Sequence, residues 1–156
     1  MKYFKQYTGD KLQSDPKTYF NHVETMIVFS AQSSNREIVL KLVNSNRTHP
    51  ASSYELVIGG GDEHDVTWLS IIGKNQNRKT RIKTAYTPNI LSQHHPSSFW
   101  ISIGSNATSK SQNKRFIQFG RLHRQKNPII TWPVENSFAM NEIFTKQLAG
   151  NILNIR

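Results

Sequence analysis

The sequence predicts an all-β protein, an antiparallel β-sandwich of jelly-roll or lectin-like type, with a short C-terminal helix as its one candidate departure. Three observations point there. Apolar residues recur at every second position in several short runs, the period of a half-buried strand. Turn-forming residues separate those runs at short intervals. No long amphipathic helical pattern lies between them, which argues against a parallel α/β sheet.

The elements follow in order. Residues 1–19 are polar and Lys-rich, with turn formers at Gly9-Asp10 and Asp15-Pro16. They read as a polar arm or a first edge strand ahead of a single domain over 20–156. Val23, Thr25, Ile27, Phe29 and Ala31 alternate as a strand, and Gln32–Asn35 reads as a turn. Arg36–Val43 places Ile38, Leu40 and Leu42 on one face. A polar loop around Pro50 follows, then Tyr54–Ile58 with Tyr54, Leu56 and Ile58 in phase. Gly59-Gly60-Gly61-Asp62 stops that strand. Thr67–Ile72 is apolar and carries Trp68. A basic, Asn-rich turn over Gly73–Lys79 leads to Thr80–Ala85, with Arg81 and Lys83 toward water. Tyr86–Ser98 is a loop containing Pro88, His94, His95 and Pro96. Phe99–Ile103, Arg115–Gly120 and Ile129–Trp132 are the next strands. At the C-terminus Met140, Ile143, Phe144 and Leu148 fall at helical spacing. Phe138–Phe144 and Ile152–Ile155 read equally well as closing strands, because short apolar runs fit both periods.

Composition narrows the function classes. The chain has 156 residues, 36% hydrophobic and 10% aromatic, enough for one core without covalent staples. It has no cysteine, so disulfides, thiolate nucleophiles and Cys-based zinc sites are excluded. The start, Met1–Gln6, lacks the apolar core of a signal peptide, and no apolar run approaches the ~18 residues that span a bilayer. The compartment is therefore cytoplasmic, or extracellular if a leader is missing. Two sequons, Asn46-Arg47-Thr48 and Asn106-Ala107-Thr108, are weak signals in a chain this rich in Asn, Ser and Thr. The net charge is +10, which favours polyanions: nucleic acid, acidic glycan or an anionic membrane surface.

Four ordered segments resemble a known family. They are Tyr54-Glu55-Leu56-Val57-Ile58-Gly59-Gly60, Ser70-Ile71-Ile72-Gly73-Lys74-Asn75, Phe99-Trp100-Ile101 and Ile117-Gln118-Phe119-Gly120. Val28-Phe29-Ser30-Ala31 and Ile130-Thr131-Trp132 extend the match. The chain resembles the farnesoic acid O-methyltransferase-like domain over roughly residues 20–135. That resemblance implies an extracellular or cell-surface β-sandwich module, a non-catalytic binder with glycan as the expected ligand. It departs from the family at Gly73, where the family has arginine, and at Gly61, where it has tryptophan. A family asparagine is replaced by Thr67 or displaced to Asp65. Any ligand site built on those family residues is lost or rebuilt here.

The family's name implies methyl transfer, and the residues argue otherwise. A cofactor-binding Gly-rich turn runs from a strand into a helix; here Gly59–Gly61 run into Asp62-Glu63-His64-Asp65 and another β pattern. There is no Gly-x-Ser-x-Gly elbow, and His22-Val23-Glu24 alone makes no site. The acidic cluster reads as a solvated turn or a sugar-hydroxyl grip; it lacks the spacing of a calcium loop. Trp68, Trp100 and Trp132 are core residues by default, with Trp68 the best stacking platform. His94-His95 reads as surface loop. No RNA-binding sheet motif is present.

The expectation is a cofactor-free, metal-free, non-enzymatic module. Glycan recognition would use Trp68 with Asp62, His64, Asp65, Asn75 and Arg78. The alternative is charge-driven polyanion binding through Lys79, Arg81, Lys83, Arg121, Arg124 and Lys126. A third is a structural domain that forms homo-oligomers through an exposed strand edge.

Overall fold

The computed structural model describes residues 2–7, 23–33, 37–44, 53–73, 78–105, 114–124, 126–134, 138, 140–147 and 151–155. These form strands and, among the described residues, no helix. The strands are β1 (Lys2–Tyr7), β2 (Val23–Ser33), β3 (Ile38–Asn44), β4 (Ser53–Gly60), β5 (Val66–Ile72), β6 (Lys79–Tyr86), β7 (Ser97–Ser105), β8 (Arg115–Arg121), β9 (Ile130–Pro133), β10 (Met140–Gln147) and β11 (Asn151–Ile155). One sheet has the order β1-β10-β3-β4-β5-β6 and the other β11-β2-β7-β8-β9. Every pairing is antiparallel.

Period-two alternation explains the sandwich. Ile38, Leu40 and Leu42 of β3, Tyr54, Leu56 and Ile58 of β4, and Leu69 of β5 are buried in one cluster with Ile27 and Phe29 of β2, Phe99 and Ile101 of β7, and Ile117 and Phe119 of β8. The inner faces of the two sheets thus interdigitate. Phe29, Phe99 and Phe119 stack across adjacent strands, with centroids 5.5 and 5.4 Å apart. Tyr54 meets Phe138 edge to face at 5.0 Å. Each such side chain contributes roughly 1.5–3 kcal/mol of burial.

The outer face of the second sheet is also covered at its centre. Trp100 points away from Phe99 and Ile101, yet it is fully buried with Met26 and Val28 against Leu122.

At both chain ends the structure takes the strand among the alternatives that the sequence leaves open. Residues 140–147 are a strand, not a helix, inserted between β1 and β3 so that its backbone serves two ladders. A bulge between Met140 and Glu142 shifts the register against β3. Residues 151–155 close the second sheet against β2. Lys2–Tyr7 is an edge strand on β10 rather than an irregular arm. The two sequons and Asn75 lie outside the described residues.

Candidate binding face on the six-stranded sheet

Strands β4, β5 and β6 form one end of the six-stranded sheet. Their inward residues leave a second set on the outer face. Val57 lies opposite Trp68, and Trp68 opposite Thr84. One row along, Glu55 lies opposite Ser70, and Ser70 opposite Arg81. Counted back from Thr84, strict alternation would place Ile82 outward and Arg81 inward. A bulge at Leu69/Ser70 reverses this. Ile82 packs against the core, and Arg81 joins Trp68 on the outer face.

The guanidinium of Arg81 covers the indole of Trp68, with Cζ 3.8 Å from the ring centroid. The benzo end of that ring sits against Gly60, where a Cβ would stand 2.4 Å from two ring carbons. Glu55, an acidic residue in an apolar strand, is only 6% exposed. Its carboxylate accepts from Lys79 Nζ at 2.7 Å, and the lysine side chain is half exposed. A buried carboxylate needs such a partner, since desolvation penalises an unpaired charge. Lys83 is exposed but lies opposite inward Leu69, so it does not share the phase of Arg81.

The acidic turn is built structurally. His64 N donates to Gly61 O at 3.2 Å, and His64 itself has φ 56°. Its Nδ1 lies 3.2 Å from Gly59 O. Gly59, at φ 67°, takes the left-handed conformation where β4 bulges. The turn is tied to the next loop by Thr87 N donating to Asp65 O at 2.7 Å and by a buried Thr67–Thr87 hydroxyl pair at 2.8 Å. Asp62, Glu63 and His64 face solvent. Among the described residues no three His, Asp or Glu side chains converge to hold a metal.

The expected ligand set does not form one site. Asp62, His64 and Asp65 precede β5, whereas Arg78 follows it, beyond the turn closed by Gly73 N and Arg78 O. The length of β5 separates them by about 20 Å. The polyanion set also divides. Lys79, Arg81 and Lys83 belong to β6, and Arg121, Arg124 and Lys126 to the β8–β9 end of the other sheet. His94 and His95 have centroids 6.2 Å apart, and His94 Nε2 meets Gln93 instead.

That second basic group borders a cleft of about 430 Å³ lined by Pro96, Ser97, Ser98, Arg121, Leu122 and His123. Burial lowers the Arg121 guanidinium below the usual arginine value, and neighbouring Arg124 adds to the effect.

Glu55, the Gly60 seat, the Thr67–Thr87 pair and the cleft residues Pro96, Ser97 and Ser98 escape sequence reasoning. Only Glu55 leaves a signal, a carboxylate out of phase with Tyr54, Leu56 and Ile58.

These features define an antiparallel β-sandwich domain with a tryptophan–arginine pair on one outer face. The chain belongs to the farnesoic acid O-methyltransferase family, which matches residues 3–144. No curated protein and no solved structure matches it. The segments that carried the resemblance have structural meaning. Gly60 ends the first and receives Trp68; Gly120 ends the last and receives Trp100. Among the described residues no helix is long and apolar enough to cross a membrane.

Proposed function

We propose that this protein is a non-catalytic binding module for an acidic carbohydrate, recognised on the outer face of β4–β6. The observation that carries this is the Arg81 guanidinium stacked on Trp68. A stacked guanidinium is fixed in plane, and its N–H edges stay free for bidentate contact with a carboxylate or sulfate. Lys79 neutralises Glu55 on the same face, so that carboxylate does not oppose an acidic ligand. Trp68 serves as the base that holds Arg81 rather than as a bare platform for a neutral sugar. Glycan recognition and the basic surface then describe one ligand.

The non-catalytic half is supported by the Gly59–Gly61 turn, which leads into β5 where a sulfonium cofactor site would need a helix. A second copy pairing along β6 is disfavoured, because Lys79, Arg81 and Lys83 would repel their counterparts.

A glycan array with matched neutral, uronic-acid and sulfated members tests the proposal. The expected result is retention of acidic members that Arg81→Ala removes. Enrichment of neutral glycans alone, or methyl transfer to any acceptor, would overturn it.

A further inference from the structure

We infer that the cleft between the start of β7 and the β8–β9 turn is a second, separate site for a tetrahedral oxyanion, a sulfate or phosphate group, with Arg121 as its principal contact. The cleft holds about 430 Å³, ample for one such group, and among the described residues no acidic side chain lines it. Its floor is fixed by the backbone. Leu122 N donates to Ser98 O at 3.0 Å, so the turn is tied to β7. Arg124 N donates to Arg121 O at 3.0 Å and closes the turn. Trp100 Nε1 donates to the same carbonyl at 3.0 Å. Arg121 therefore leaves a backbone anchored at both ends of its turn.

The electrostatics are one-sided. Arg121 is partly desolvated and feels Arg124 as its principal charged neighbour. Arg124 is exposed, and a partly desolvated guanidinium beside a second cation is better satisfied when a counter-charge completes the site. A dianion accepts from Arg121, gains from Arg124 close by, and meets Ser97, Ser98 and His123 at the wall. Two cations suit a dianion better than a monocarboxylate. This site lies on the five-stranded sheet, whereas Arg81 and Trp68 lie on the other, so the two ligand positions are independent.

The test is a titration of the full chain with inorganic sulfate, inorganic phosphate and acetate at constant ionic strength, followed by amide NMR shifts. Saturable shifts at Ser97, Ser98 and residues 121–124 are expected for sulfate or phosphate. The tighter of the two names the source of the group. Arg121→Ala is expected to weaken binding by about tenfold or more, the usual effect of deleting a charged hydrogen-bond partner. Arg121→Lys keeps the charge and guards against a folding artefact; it should bind more weakly than wild type and more tightly than Arg121→Ala. Arg81→Ala should leave these shifts unchanged. Linear, non-saturating shifts, acetate binding as tight as sulfate, or loss of the shifts in Arg81→Ala would overturn the assignment.

Discussion

The indole of Trp100 lies over Gly120 of the neighbouring strand so closely that a Cβ there would stand 2.9 Å from Cζ2. The same device recurs on the other sheet, where Trp68 lies against Gly60. In both cases a strand glycine opens the surface on which a neighbouring tryptophan lies. Gly120→Ala should therefore destabilise the fold through overpacking, by about 1–3 kcal/mol. Urea unfolding followed by tryptophan fluorescence measures this. An unchanged midpoint would show that Trp100 moves aside at no cost.

The Thr67–Thr87 hydroxyl pair is buried, and Gly59 N also donates to Thr67 Oγ1 at 3.4 Å. Thr87→Val leaves the Thr67 hydroxyl with one partner fewer in a buried site. The expected cost is about 1–3 kcal/mol. Adding Thr67→Val should cost less than the sum of the single changes, because the orphaned hydroxyl goes with it. Strict additivity would mean that the two hydroxyls do not couple.

How much of this was legible in the sequence depends on what the signal measures. Alternation in Ile38–Leu42 and Tyr54–Ile58 reports one buried face, and these residues face the core. Alternation also assigned Trp100 to the face opposite Phe99, but the sequence carries no mark of how that face is covered. Bulges were invisible. The one opposite Leu69 and Ser70 inserts a residue into β6, so that Arg81 and Lys83, two apart in sequence, do not share a face. The site was less legible than the fold. Asp62 and Arg78 flank β5 and are separated by its length, whereas Trp68 and Arg81, at a similar sequence separation, touch across adjacent strands. Cross-strand register decides such contacts, and register follows from turn geometry that residue types do not specify.

The Glu55–Lys79 pair should behave as a partner requirement rather than as a surplus of stability. Lys79→Met leaves a nearly buried carboxylate without its cation and should cost about 1 kcal/mol, since Lys79 is half exposed and solvent screens the pair. Replacing both, Glu55→Gln with Lys79→Met, should recover most of that loss. Thermal melts of the wild type and the two variants provide the check. A double variant no more stable than Lys79→Met would show that the charge pairing is incidental.

Arg81 is the residue on which the proposed recognition turns, and its role divides into charge and shape. Arg81→Ala removes both and should weaken an acidic glycan by about tenfold or more. Arg81→Lys keeps the charge but loses the planar fork, so it should recover only part of the affinity. Trp68→Leu keeps Arg81 but removes the ring beneath it, and the loss should approach that of Arg81→Lys. Titration calorimetry at low and high salt separates the two contributions. Charge attraction fades as the Debye length shortens, whereas the geometric advantage of arginine over lysine persists. If lysine matched arginine at both salts, diffuse attraction to a basic surface would be the better description of how this face binds.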